Sequence, residues 1–68
     1  MAVATIEVQG MTCQGCVKSV TKALQAVDGV TSADVSLEKN QATVTYEEGK
    51  ATVSDLKLAI EDAGYDVA

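Results

Sequence analysis

Residues 4–27 read ATIEVQGMTCQGCVKSVTKALQAV, and the spacing of their apolar side chains changes partway through. Ala4, Ile6 and Val8 alternate with Thr5, Glu7 and Gln9, the period of a half-buried strand. Gly10 ends that run. Beyond Cys16, the residues Val17, Val20, Leu24 and Val27 recur at steps of three, four and three, the period of a helix with one apolar face. Lys18, Lys22 and Gln25 fall on the opposite face. A strand thus feeds a helix through a short loop that carries both cysteines of the chain.

The rest of the sequence repeats this unit. Asp28-Gly29 is expected to stop the first helix, with Gly29 in the left-handed conformation and Val30 as the apolar contact after it. Period two returns at Ala33, Val35 and Leu37 and again at Ala42, Val44 and Tyr46. Lys39-Asn40 between them suits a two-residue hairpin turn that places Leu37 opposite Ala42. After the polar loop Glu47 to Ala51, Thr52 reads as an N-cap with Asp55 three residues on, a carboxylate form of the capping box. Val53, Leu56, Ala59, Ile60 and Ala63 form a second apolar stripe, Gly64 ends it, and Tyr65-Asp66-Val67 suits a short edge strand. Right-handed crossovers and one shared apolar face predict an α+β, ferredoxin-like βαββαβ sandwich, a four-stranded antiparallel sheet with both helices on one side.

Composition limits what such a domain can do. The 68 residues allow one small domain, expected over residues 1–68, with no cleft between domains. Ten acidic residues against five lysines give a net charge of −5, which disfavours a nucleic-acid binder held by phosphate contacts. No stretch has the ~20 apolar residues of a membrane span and the start has no signal-like run, so no membrane insertion and a cytoplasmic location are expected. Histidine is absent, and no hydrolytic constellation is visible, so an enzyme is not expected.

Cys13 and Cys16 are too close for their bridge to staple a fold, and their role is chemical. Cys13 belongs in the loop and Cys16 in the first helical turn, so both sulfurs meet the free N–H groups of a helix N-terminus, which favour thiolate. Lys18 is expected to add to that effect. Thiolates select soft ions, with Cu(I) foremost. A structural zinc site wants four protein ligands and a catalytic one three, whereas two thiolates suffice for Cu(I). An under-coordinated ion on an exposed loop suits transfer better than storage. The competing chemistry is thiol–disulfide exchange, although this chain has neither the Trp nor the Pro of a thioredoxin-like domain.

Gly10-Met11-Thr12-Cys13-Gln14-Gly15-Cys16 resembles the GMTCxxC signature of the heavy-metal-associated domain family. Val17, Val20, Leu24, Asp28-Gly29-Val30 and Ala63-Gly64-Tyr65-Asp66-Val67 extend the likeness to small bacterial copper chaperones of the CopZ type. The resemblance implies Cu(I) held by Cys13 and Cys16 and passed to a copper-transporting P-type ATPase, whose soluble metal-binding domains resemble this chain. It also implies that Met11 is an inward plug supporting the loop and that Tyr65 lies close outside the metal site. Gly10 and Gly15 ease the turn and the approach of a partner backbone.

Lys18 and Lys22 share one helix face with no acidic residue between Thr12 and Val27, a candidate docking patch for an acidic partner. Transfer is then expected by stepwise thiolate exchange, with Cys13 staying engaged with the partner. Two ligands per chain also allow a copper-bridged homodimer. The initiating Met and the absence of a linker fit a free-standing protein. An excised ATPase domain, a mercury-binding relative and a small thiol oxidoreductase are the alternatives. Folding is expected without metal, since the apolar pattern is complete.

Overall fold

The computed structural model describes residues 1–67; Ala68, included in the expected domain, lies outside the described residues. Along the chain run β1 (Ala2–Gln9), α1 (Gln14–Gln25), β2 (Val30–Ser36), β3 (Gln41–Tyr46), α2 (Val53–Asp62) and β4 (Asp66–Val67). The strands form one antiparallel sheet in the order β2-β3-β1-β4, as the ferredoxin-like reading predicts. Alternation does what the pattern requires. Ile6, Val8, Ala42, Val44 and Tyr46 turn to the core, where Val20 and Leu24 of α1 and Leu56 and Ile60 of α2 cover them.

Helix α2 begins and ends as its sequence directs. The Thr52 hydroxyl accepts from the Asp55 N–H at 3.3 Å, and the Asp55 carboxylate accepts from the Thr52 N–H at 3.1 Å. At the other end Gly64 has φ +97°, its N–H donates to Glu61 O, and the Tyr65 N–H reaches back to Ile60 O at 3.3 Å. These two bonds make a Schellman turn, and they throw Tyr65 back across the end of the helix. Of the expected stripe, Val53 departs from the pattern: at the first helical position it is 37% exposed rather than packed.

Two boundaries differ from the sequence reading. Helix α1 stops at Gln25 with Ala26 as its C-cap, three residues before Asp28. Gly29 instead sits in the following turn, closed by Val30 N–H donating to Val27 O, with φ +98°. Its carbonyl accepts from the Glu47 N–H at 2.8 Å, and an added Cβ would lie 2.6 Å from Lys50 Cβ and 3.2 Å from Ala51 N. The chain therefore turns early so that Gly29 can wedge against the β3–α2 loop. The hairpin also differs. Ser36 pairs with Gln41 and Val35, not Leu37, with Ala42, leaving a four-residue loop Leu37–Asn40. Ser36 Oγ accepts from the Lys39 N–H, Asn40 takes φ +53°, and its carbonyl accepts from the Val8 N–H at 2.8 Å. The register moves by two residues, so every side chain keeps its expected face.

The two glycines give a paired test. Gly64→Ala meets nothing within 4 Å and should lose only the conformational cost, about 1–2 kcal/mol. Gly29→Ala adds a backbone clash and should lose roughly 1–3 kcal/mol more. Urea unfolding of both variants measures the difference, and equal losses would remove the wedge.

Candidate metal centre

The cysteine loop sits at one pole of the domain, where β1 ends and α1 begins. Cys13 is the N-cap of α1, with extended backbone (φ −156°, ψ 173°), and its carbonyl accepts from the N–H groups of Cys16 and Val17. No side chain caps this helix and no acidic residue lies in its first turn. The positive end of the helix is thus left for an anionic ligand, and the anions at hand are the two thiolates. Cys13 is exposed and Cys16 half-buried, with Sγ atoms 3.7 Å apart. That gap is far longer than the ~2.05 Å of a disulfide. It is within the span that two metal–thiolate bonds of about 2.3 Å can bridge.

The two sulfurs are not equivalent. The Cys16 thiol is lowered to about 6 by hydrogen bonding from the Thr12 backbone, from the Tyr65 hydroxyl and from the backbone and side chain of Cys13, in that order. The same contact with Cys16 pushes the Tyr65 hydroxyl above its ordinary value. Thr12 Oγ1 also lies 3.9 Å from Cys16 Sγ. Lys18 is not among the groups acting on Cys16, because residues two apart on a helix point to different sides. In metal-free, reduced protein, alkylation of Cys16 should rise through a midpoint near pH 6, with thiolate present above it and lost below. Tyr65→Phe removes one donor and should move that midpoint upward. An iodoacetamide pH profile read by peptide mapping checks both.

Around the pair, the structure sorts the remaining expected residues. Met11 is 6% exposed and part of the core, beneath the loop. Tyr65 packs on the same core, with Cδ1 3.7 Å from where a Gly10 Cβ would lie. A Cβ on Gly15 would stand 3.6 Å from Cys13 Sγ. Lys18 and Lys22 are exposed on α1, away from the sulfurs. Sequence reasoning overlooked Thr12 as a contributor, although its hydroxyl, four residues before Cys16, was a visible signal. Ser19, which acts on the Tyr65 hydroxyl, left no such signal. Among the described residues no group of three or more Cys, His, Asp or Glu could hold a metal ion, so the pair stands without a third protein ligand of those types.

The heavy-metal-associated domain pattern matches residues 5–66. The chain belongs to the heavy-metal-associated domain family. A copper chaperone CopZ of Staphylococcus aureus (strain Newman) is 53% identical over 62 residues, which cover 91% of each chain. A solved structure of a CopZ metallochaperone is 49% identical, superposes with a TM-score of 0.96, and is matched over 98% of this chain and 100% of its own. A copper binding domain from a P-type ATPase is 40% identical with a TM-score of 0.98, over 100% of this chain and 92% of its own. The relatives of this heavy-metal-associated domain thus include both metal chaperones and an ATPase metal-binding domain. Among the described residues no helix is long and apolar enough to cross a membrane.

Proposed function

We propose that this chain is a cytoplasmic Cu(I) chaperone, a carrier rather than an enzyme, that holds copper between Cys13 and Cys16 and delivers it to a copper-transporting P-type ATPase. The observation that carries this reading is the thiol pair at 3.7 Å, Cys13 exposed and Cys16 half-buried, with no cluster of three or more Cys, His, Asp or Glu among the described residues, set on a bare helix N-terminus. Soft sulfur selects the soft ion, and the open coordination leaves room for an incoming thiolate. The likeness to chaperones named for copper supports the choice of cargo.

Delivery proceeds by thiolate exchange. A deprotonated acceptor cysteine adds to the two-coordinate ion, giving a three-sulfur intermediate, and one chaperone sulfur departs first; a second acceptor thiolate then displaces the other in the same way, and copper stays Cu(I) throughout. Cys16, whose thiolate is held by Thr12 and Tyr65, is the better leaving sulfur, while exposed Cys13 stays engaged with the acceptor. When acceptor is scarce, one ion shared by four cysteines of two copies is the same chemistry without release.

Lys18 and Lys22 would guide the encounter, since among the described residues the ion pair formed is Lys50–Glu47 and both helix lysines remain free. Reversing both to Glu should slow transfer to an acidic acceptor domain about tenfold at low salt while copper affinity is unchanged. Stopped-flow transfer beside a competition titration reads the two quantities separately. Equal transfer rates would dismiss the docking role, and no transfer from the unaltered protein would dismiss delivery. The kinship with an ATPase copper binding domain favours a second reading, a receiving rather than a donating domain. Faster loading from a chaperone than unloading to an ATPase domain would favour it.

A further inference from the structure

The outer surface of the helix layer is divided by charge. On α1 the exposed face carries Lys18 and Lys22 with no acidic side chain anywhere along the helix. Beside it, α2 borders a groove of about 370 Å³ lined by Val27, Asp28, Lys50, Asp55, Leu58 and Asp62, among others. Leu58 is 58% exposed there, an apolar side chain with nothing over it. The groove's cation, Lys50, is engaged by Glu47 at 3.6 Å, which leaves the three aspartates dominant. One helix thus presents what the groove beside the other helix lacks.

We propose that this groove receives a second copy of this chain, the Lys18–Lys22 face of α1 in each copy lying on the groove of α2 in the other. The directions of the helices fit such a pair. Helix α1 leaves the cysteine loop and α2 returns toward it, ending at Tyr65 beside Cys16. A two-fold axis running parallel to the helices, between two facing helix layers, sets each α1 over the partner's α2. A two-fold axis across the helices would set lysine on lysine. At 1.5 Å per residue, Lys18 then faces the Asp62 end of the groove and Lys22, about 6 Å further on, the Asp55 end. The interface is self-complementary, as a two-fold contact must be. Exposed ion pairs contribute little each, so the pair is weak and salt-dependent.

This arrangement brings both cysteine loops to the same end, a consequence that deepens the copper reading but does not depend on it. It also engages the same lysines that would meet an acceptor, so self-association and delivery exclude one another.

Metal-free, reduced protein tests the pairing by sedimentation equilibrium up to about 1 mM. One arm is at an ionic strength of about 10 mM, where the Debye length is about 30 Å, and one at about 1 M, where it is about 3 Å. The dimer dissociation constant should rise at least about tenfold in high salt and in Lys18→Glu/Lys22→Glu. As a charge swap across one facing pair, Lys18→Glu alone and Asp62→Lys, which places a cation at the C-terminus of α2 where the helix dipole tolerates it, should each fail to self-associate. An equimolar mixture of these two single variants should restore association to within about threefold of the original, a result that misfolding cannot give. Cys13→Ser/Cys16→Ser should pair normally, which keeps this outcome separate from that of the copper titration. A protein monomeric at low salt, pairing that ignores the reversals, or a mixture that stays monomeric would overturn the proposal. Retention of a cationic peptide in the groove without self-association would assign it to another partner and equally overturn it.

Discussion

Cys13→Ser and Cys16→Ser are each expected to lose the competition for Cu(I) against a chromophoric chelator, under anaerobic conditions where the unaltered protein takes one ion per chain. The reason is ligand count. Loss of a hydrogen-bonding group outside a metal's ligand set typically costs about 10–100-fold in affinity. Here one of two sulfurs is removed, and among the described residues no cluster of three or more Cys, His, Asp or Glu could hold the ion instead. The expected fall is therefore at least about a thousandfold. The two variants should also differ. Cys13→Ser leaves a half-buried thiolate held by Thr12 and Tyr65, whereas Cys16→Ser leaves only the exposed sulfur. Retained stoichiometric binding in either variant would remove the two-sulfur site.

Leu24→Ala is expected to remove a large share of the domain's stability. Among the described residues the largest fully buried side chains are Leu24, Leu56, Ile60 and the three valines Val8, Val20 and Val44, since the chain has neither Phe nor Trp. A Leu→Ala change at such a site costs about 2–5 kcal/mol. At about 0.05–0.15 kcal/mol per residue, a domain of this length has roughly 3–10 kcal/mol in total. The unfolding midpoint should fall by at least about 10 °C, and calorimetry on metal-free protein reads it directly. A loss under about 1 kcal/mol would mean that the core closes over the vacancy.

The parts of this fold legible in the sequence are those fixed by neighbours in the chain. The period-two runs, the apolar face of α1 and the Thr52–Asp55 capping box each declare themselves within a few residues, and the structure keeps them. The end of α1 and the length of the hairpin do not. Gly29 is placed by Glu47, Lys50 and Ala51, and Asn40 by Val8, contacts that join segments distant in sequence. Local pattern therefore misjudged where each segment stops while judging correctly which way its side chains face. The candidate site divides the same way. Cys13 and Cys16 were visible from spacing alone. Tyr65 lies almost fifty residues from Cys16 and entered only through the family resemblance, because the turn at Gly64 that aims it has no signature naming its target.

That turn ties together two regions that the chain order keeps apart. Tyr65 is followed at once by β4, whose two residues pair with Val8 and Gln9 just ahead of the cysteine loop. The loop is therefore clasped from behind by the shortest strand of the sheet, and whatever peels that strand slackens the grip on Cys16 while the buried leucines stay packed. Reactivity at the sulfurs is thus a gauge of fraying at the sheet's edge, sensitive to disturbances too slight to register in the melting of the whole domain.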